Sequence, residues 1–514
     1  MNVRKSTSKV EFGDFQTPTN LASKICDFLF KEGVRPCSIV EPTCGEGNLL
    51  LSALDQFPSA ARAIGVDIGF EYVEHTKNRL TTRSYSDRAL VLQDNFFDVD
   101  WGEILNSLPD PILVIGNPPW VTSSELASLN STNLPKKTNF KGFSGLDAKT
   151  GKSNFDISEW MLIHILESLD HRDATMAMLC KTSVARRVLV YAWKRNLPLG
   201  FSQIHLIDAK EAFDVSVDAC LLVCGISKDE RQDQVCRVYK RISDDTYQTT
   251  FGYRDDRLIA NIDLYEQWKH LEDGNPYRWR SGIKHDCSKV MELEKEQHSF
   301  RNKLGELCDL ETTYIYPMLK SSDVARESAP VPSRWMLVTQ KSVGDDTAAI
   351  KYTAPKTWAY LMSHSEPLDK RRSSIYRGRP RFSVFGVGEY SFSSWKVIIS
   401  GLYKKLHFAV VGPYAGKPVV LDDTCYLLPC QSEDEAWFLA RLLNSKVAEE
   451  FFRAFIFWDA KRPITASILN RLSPVALARE LGSEDILLGF LSSSGSFPPH
   501  GQLALFEDGR LTRA

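Results

Sequence analysis

The chain has 514 residues, of which 43% are hydrophobic and 25% charged, and its formal net charge is −2 at pH 7. This length allows about two or three domains of ordinary globular composition. There is no membrane-spanning apolar run and no signal-peptide core, so we expect a cytoplasmic protein with no membrane association. The eleven cysteines show no paired zinc-binding spacing, and we expect no metal site.

The N-terminal region predicts the first unit of a nucleotide-binding α/β domain. Residues 17–18 are typical of a helix start and precede an amphipathic helix at about residues 20–30. Residues 38–48 then read as a strand and a glycine-containing turn, followed by a helical run. Gly45 and Gly47 allow a tight turn and a close approach of the backbone to a ligand.

Two further strands each end in an acid. Residues 63–67 end in Asp67, about twenty residues after the turn, where a carboxylate can hold ribose hydroxyls. Residues 89–94 end in Asp94, which could accept a hydrogen bond from an adenine amino group. Each acid alone is more often a solvated strand end. Ligand-competent strand ends in succession indicate a binding site.

A fourth strand, residues 112–116, leads into the turn Asn117-Pro118-Pro119-Trp120. Asn117 offers a side-chain carbonyl acceptor, and the two prolines fix the backbone around it. Trp120 supplies a flat apolar face. Two acceptors beside an aromatic ring can hold the amino group of a planar amine so that its lone pair points at an electrophile. The alternative is a proline-rich turn with a buried tryptophan.

Residues 11–223 resemble an S-adenosylmethionine-dependent DNA adenine-N6 methyltransferase of the gamma class. The motifs that carry the resemblance follow one another in the order of that class: residues 11–18, residues 41–47 and the Asn-Pro-Pro-Trp turn. The resemblance implies a Rossmann-like methyltransferase domain with a mixed seven-stranded sheet, and S-adenosyl-L-methionine as cofactor. It implies catalytic roles for Asn117, Pro118, Pro119 and Trp120, and cofactor contacts from Thr17, Glu41, Thr43, Gly45, Asp67, Asp94 and Phe96.

The segment after the turn, residues 136–154, is polar, basic and rich in glycine. It is either a surface loop or a lid over DNA or cofactor, in which lysines such as Lys141 could meet phosphates. A final core strand is predicted at residues 220–223. The resemblance implies that Phe213, just before this strand, stacks on the face of the extruded base opposite the catalytic turn, although alone it would more often be a core residue.

We predict three regions: a methyltransferase domain at 1–228, a connector at 229–300 and an α+β target-recognition domain at 301–514. Residues 370–381 mix six cations with a tyrosine and a glycine. Arginine suits phosphate and guanine contacts, although a charge run is usually a solvated face. The candidate DNA contacts in this run are Arg371, Arg372, Arg377, Arg379 and Arg381.

The combined prediction is a monomeric, prokaryotic restriction–modification enzyme that flips an adenine out of double-stranded DNA and methylates its N6. DNA would associate it with the nucleoid, and a separately encoded restriction endonuclease is a further candidate partner. One alternative is an RNA adenine or protein glutamine methyltransferase. Another is a fused endonuclease–methyltransferase, but such chains usually carry the nuclease first and only ten residues precede Glu11. A third is a DNA-binding protein with an inactive methyltransferase fold.

Overall fold

The structure is a computed structural model that describes residues 15–121, 156–227 and 234–493, except residues 273, 275, 298 and 327–329. The chain divides into two compact units, Met1–Ile262 and Asp263–Ala514. Lys141 and the rest of the basic segment 136–154 lie outside the described residues.

A mixed sheet forms the centre of the first unit. In the described part of this unit its strands are β1 (Ser38–Glu41), β2 (Arg62–Asp67), β3 (Ala89–Gln93), β4 (Ile112–Gly116), β5 (Ala174–Lys181), β6 (Leu199–Ile207), β7 (Ala219–Ile226), β8 (Val235–Tyr239), β9 (Thr249–Arg254) and β10 (Arg257–Ile259). They lie in the order β10-β9-β8-β6-β7-β5-β4-β1-β2-β3. Strands β1 to β5 run parallel, and β7 is antiparallel to both β5 and β6.

The seven strands β1 to β7 make up the mixed sheet expected for a Rossmann-like methyltransferase. Strands β8 to β10 extend it beyond β6, so the segment expected as a connector from residue 229 folds partly into this unit. Polar composition alone does not indicate the strands in this segment.

Helices accompany the parallel strands. Their described ranges are α1 (Thr19–Lys31), α2 (Asn48–Gln56), α3 (Phe70–Thr82), α4 (Trp101–Asn106), α5 (Ile157–Ser168), α6 (Thr182–Lys194) and α7 (Ala209–Phe213). All five residues of β4 are buried, as expected for a central parallel strand. Register pairs Glu41 with Gly65 and Asp67 with Gln93, so the carboxyl ends of the strands meet at one edge.

The second unit combines short helices with two further sheets. In its described residues the sheets have the orders β11-β20-β17-β18 and β14-β13-β12-β16-β15-β19. The strands are β11 (Arg280–Ser281), β12 (Glu292–Glu296), β13 (Ser299–Asn302), β14 (Leu307–Cys308), β15 (Ile315–Leu319), β16 (Arg334–Leu337), β17 (Trp395–Ser400), β18 (Ala409–Val411), β19 (Val420–Leu421) and β20 (Cys425–Cys430). Most neighbouring strands in these sheets are antiparallel.

The α-helices from the boundary onward are short. They are α8 (Ile262–Trp268), α9 (Ser288–Met291), α10 (Ser321–Val324), α11 (Ile350–Thr353), α12 (Pro355–Ser363), α13 (Ser365–Asp369), α14 (Glu433–Leu443), α15 (Lys446–Arg453), α16 (Ala466–Leu469), α17 (Pro474–Glu480) and α18 (Glu484–Ser493). None of the helices in the described ranges is long and apolar enough to cross a membrane.

Strand β17 contains a fully buried lysine. Lys396 has no exposed surface, and its ammonium donates a hydrogen bond to the backbone carbonyl of Ser393. Burial lowers the pKa of Lys396 from 10.5 to about 7. Because the folded pKa lies below the unfolded pKa, the unfolded chain binds more protons between these values. The free energy of unfolding therefore rises with pH across this window.

Replacing Lys396 by methionine should remove this pH dependence. Between pH 7 and pH 9 we expect the free energy of unfolding of wild type to rise by about 2 kcal/mol relative to that of K396M, because only wild type has the buried lysine that loses its proton there. Urea unfolding of the full chain at both pH values measures it. The exposed Lys404 provides the control K404M, which should follow wild type. An equal pH dependence in K396M and wild type would contradict the buried-ammonium interpretation.

Candidate active site

A cavity of about 460 Å³ lies at the carboxyl ends of β1 to β4. Its volume falls in the range of about 300–1,000 Å³ that is usual for cofactor sites. The structure brings all seven expected cofactor residues to its wall, together with two residues of the catalytic turn. These lining residues are Thr17, Glu41, Thr43, Gly45, Asp67, Asp94, Phe96, Asn117 and Pro119.

The glycine turn is fitted closely into its surroundings. Gly45 and Gly47 have φ values of +50° and +73°, which side-chain-bearing residues rarely adopt. A Cβ atom on Gly45 would lie 2.4 Å from Oε1 of Gln16. The same Oε1 accepts a hydrogen bond of 2.9 Å from the N–H of Glu46. Gln16, which the sequence analysis did not single out, therefore fixes the turn from outside.

Glu41 is buried beneath this turn. Its Oε2 accepts a hydrogen bond of 2.8 Å from the N–H of Leu50, in the first turn of α2. Desolvation raises the pKa of Glu41 well above its usual value. Part of its function is therefore to support the start of α2, and its contact with the methionine part of a cofactor remains a prediction.

The two acids at the strand ends differ in environment. The Asp67 oxygens accept hydrogen bonds of 2.8 Å from the N–H groups of Gly45 and Gly69, so this carboxylate ties the glycine turn to the end of β2. Asp94 is exposed, and its Oδ1 accepts 2.7 Å from the N–H of Asn95. Both line the cavity, so the predicted ribose and adenine contacts are geometrically accessible.

Aromatic and apolar side chains cover one end of the cavity. Phe96 is buried and packs on Trp101 with the ring centroids 4.9 Å apart. Ile68 and Phe70 line the rim and are 41% and 62% exposed. Such exposed apolar groups beside a cavity are suited to covering a planar ring. The sequence analysis missed them, although their position directly after Asp67 was the available signal.

Two oxygens at the cavity are buried and have no hydrogen-bond partner. They are Thr43 Oγ1 and Asn117 Oδ1. Leaving a buried polar atom unpaired costs about 1–3 kcal/mol. Their position at one cavity indicates that a bound molecule supplies the missing partners, and a cofactor with polar groups fits this requirement.

The orientation of the Asn117 amide is fixed. Its Nδ2 donates a hydrogen bond of 2.8 Å to the backbone carbonyl of Phe15. The flipped amide would place two acceptor oxygens against each other, so the nitrogen must face Phe15. The Oδ1 atom is consequently the acceptor that remains available to a bound molecule.

The rest of the turn is built into the protein interior. Pro118 and Trp120 are buried, and neither lines the described cavity. The Trp120 indole N–H donates 3.3 Å to the carbonyl of Leu179. Its ring meets Phe213 edge-on, with centroids 5.2 Å apart and planes at 73°. The two rings expected to lie on either side of a base therefore touch, and a base can enter between them only if Phe213 moves.

The basic run of the second unit separates into two groups. Arg371 packs 3.7 Å above the ring of Tyr376 and holds the loop through backbone carbonyls of Leu368, Ser383 and His285. Arg381 pairs with Asp369 at 2.7 Å. Three arginines are exposed and form no ion pair within the described residues: Arg372, Arg377 and Arg379.

The unpaired hydroxyl of Thr43 gives a direct test of the cavity. We expect T43V to raise the dissociation constant of S-adenosyl-L-methionine about 5–10-fold, the value of one hydrogen bond, without loss of stability. Calorimetry with the cofactor and urea unfolding measure both. Thr182 Oγ1 is also buried and unpaired but does not line the cavity, so T182V is the matched control. Equal cofactor affinity in T43V and T182V would contradict the assignment.

Comparison with known proteins assigns the chain to a family. No protein-family model matches the chain. The Type II methyltransferase M.NspV of Nostoc sp. is 45% identical over 482 residues, which span 93% of this chain and 99% of that protein. The Type II methyltransferase M.BanIII of Aneurinibacillus aneurinilyticus is 29% identical over 438 residues, covering 73% of this chain and 74% of that protein.

A solved structure shares the fold. The Type IIL restriction-modification enzyme MmeI, determined in complex with DNA, superimposes with a TM-score of 0.52 at 15% identity, over 97% of this chain and 70% of that chain. This match confirms the expected Rossmann-like methyltransferase fold. The 45% identity to a Type II methyltransferase supports S-adenosyl-L-methionine as the cofactor. The chain belongs to the Type II methyltransferases.

Proposed function

We propose that this enzyme transfers a methyl group from S-adenosyl-L-methionine to N6 of an adenine extruded from double-stranded DNA. The observation that carries the proposal is the Asn117 amide, whose nitrogen is held by Phe15 and whose buried oxygen lacks a partner at the cavity. An exocyclic amino group is a planar donor that matches this acceptor. The resemblance to the gamma class supports adenine as its source.

The residues of the turn would act by orientation. Bound S-adenosyl-L-methionine supplies an electrophilic methyl group on a sulfonium sulfur. Asn117 Oδ1 accepts one N–H of the amine, and a backbone carbonyl of the rigid Pro118-Pro119 turn accepts the other. These bonds direct the nitrogen lone pair toward the methyl carbon and strengthen as the nitrogen becomes positive. The amine nitrogen would then take the methyl group that the cofactor supplies, and its surplus proton would leave to solvent.

The cavity residues would divide among the parts of the cofactor. We assign Thr17, Glu41, Thr43 and Gly45 to the methionine part, with the Thr43 hydroxyl donating or accepting the hydrogen bond it lacks in the protein. Asp67 would hold the ribose and Asp94 the adenine amino group. Phe96, helped by Ile68, would cover the adenine ring.

Base extrusion would use the pair Trp120 and Phe213. Extruding a base costs a few kcal/mol, and stacking on an aromatic ring returns about 1–3 kcal/mol per base. Phe213 is the last residue of α7, and Asp214 after it has a φ of +55°. A change at this short helix end would withdraw the Phe213 ring from Trp120 and admit the base.

We also propose that the second unit recognises the DNA target. The three exposed arginines without ion pairs are the favoured contacts, whereas Arg371 and Arg381 shape the loop that presents them. MmeI, which has this fold, was solved with DNA. We assign the chain to a restriction–modification system, acting as a monomer beside a separately encoded endonuclease, with Lys141 as a further phosphate contact.

Asn117→Ala tests the catalytic role. We expect the rate of methyl transfer to fall by about 10²–10³-fold or more, because the amine loses its orienting acceptor, while cofactor affinity stays largely intact. Labelled donor with duplex DNA, RNA or protein measures the rate and the substrate class. Nucleoside mass spectrometry identifies the product as N6-methyladenine. Methylation by Asn117→Ala at nearly the wild-type rate would refute the role.

The arginine triple variant R372A/R377A/R379A tests recognition. Each lost phosphate contact reduces the salt slope of DNA binding by about 1, so we expect weaker binding and a slope smaller by up to about 3. Fluorescence anisotropy with duplex DNA over a salt series measures it. R381A is the control from the same loop, because its guanidinium is paired with Asp369. If R381A and the triple variant weaken DNA binding equally, the separation of the loop into structural and DNA-binding arginines is wrong.

A further inference from the structure

Lys181 occupies an unexpected position beside the catalytic turn. It is the last residue of β5, and its Nζ donates a hydrogen bond of 2.9 Å to the backbone carbonyl of Trp120. The same Nζ pairs with Oδ2 of Asp156 at 2.7 Å. The Asp156 side chain is 5% exposed and that of Lys181 23%, so water screens this pair only partly.

Asp156 connects the pair to a helix. Its Oδ1 accepts hydrogen bonds from the N–H and the hydroxyl of Ser158, which makes it the N-cap of α5. The N–H of Ile157 also donates 2.9 Å to the carbonyl of Val121. Two successive backbone carbonyls, those of Trp120 and Val121, are therefore held by the start of α5 and its ion-pair partner.

The turn is thus fixed at both ends. At its start, the Asn117 amide is held by the carbonyl of Phe15 at 2.8 Å. At its end, Trp120 is held through its indole by Leu179 and through its carbonyl by Lys181. The acceptors proposed to orient the amine lie between these two anchors. Since prolines make the intervening backbone stiff, a shift at Trp120 is transmitted to them.

We infer that Lys181 is a positioning residue for methyl transfer, acting through the carbonyl of Trp120 to hold the turn in its reactive geometry. This inference rests on the proposed role of the turn. The competing explanation is that the Lys181–Asp156 pair serves only the stability of the fold. The two explanations differ in which partner of Lys181 matters, the Trp120 carbonyl or the Asp156 carboxylate.

Three variants separate the two partners. K181M removes the bond to the Trp120 carbonyl and leaves the buried Asp156 carboxylate uncompensated. D156S removes the carboxylate but keeps a residue that caps helices well, and Lys181 can still hold the Trp120 carbonyl. K181M/D156S has neither charge and so lacks the penalty of an unpaired one. If K181M does not fold, this double variant carries the test.

The measurements are the single-turnover rate of methyl transfer at saturating donor and duplex DNA, the cofactor dissociation constant and the urea stability. We expect K181M to react on the order of 10- to 100-fold more slowly, as for a misplaced reactive group, with unchanged cofactor affinity. D156S should react at close to the wild-type rate. The double variant should regain stability relative to K181M and yet remain as slow as K181M.

Recovery of the rate together with stability in the double variant would overturn the inference, as would a K181M rate equal to that of wild type. Asn117→Ala, assayed in parallel, distinguishes failure of the role of Lys181 from failure of the proposed function. If Asn117→Ala is inactive while K181M reacts normally, only the role of Lys181 fails. If Asn117→Ala reacts normally, the proposed function fails.

Discussion

The hydrogen bond from Asn117 Nδ2 to the carbonyl of Phe15 is the interaction on which the rest of the site depends. It joins residues 102 positions apart in the sequence and leaves the amide oxygen without a partner. The two residues after Phe15 hold the glycine turn and the start of α2. Gln16 accepts a hydrogen bond from the glycine turn, and the carbonyl of Thr17 accepts a hydrogen bond of 2.9 Å from the side chain of Asn48. One short segment, residues 15–17, thereby fixes the cofactor turn and the catalytic turn relative to each other.

Much of this site could be predicted because parallel strands end at one edge of a sheet. Motifs at four successive strand ends therefore had to converge, and their residues do line one cavity. Burial of Trp120 could not be read from the motif, since it depends on the Leu179 carbonyl and the Phe213 ring, which come from distant elements. The same holds for Lys181, whose partners Trp120 and Asp156 are brought together only by the fold.

The arginine loop shows that contacts between residues close in the sequence can also be hard to predict from the sequence alone. Composition marks residues 370–381 as basic, but not which guanidiniums the protein uses itself. The guanidinium of Arg371 donates hydrogen bonds to backbone carbonyls and packs on an aromatic ring. These carbonyls need a side-chain donor because the loop has little regular secondary structure to supply backbone partners. Arginine is suited to this task as well as to phosphate binding. Cation count therefore overestimates the surface left for a partner.

The central claim is that Asn117 Oδ1 accepts a hydrogen bond from the amino group that is methylated. A crystal structure of the enzyme with duplex DNA and an unreactive cofactor analogue tests it most directly. The account predicts an extruded adenine with N6 about 3 Å from Asn117 Oδ1, the distance of a normal hydrogen bond, while Nδ2 remains on the Phe15 carbonyl. An extruded base that places another atom at Oδ1, or a base bound away from this turn, would contradict it.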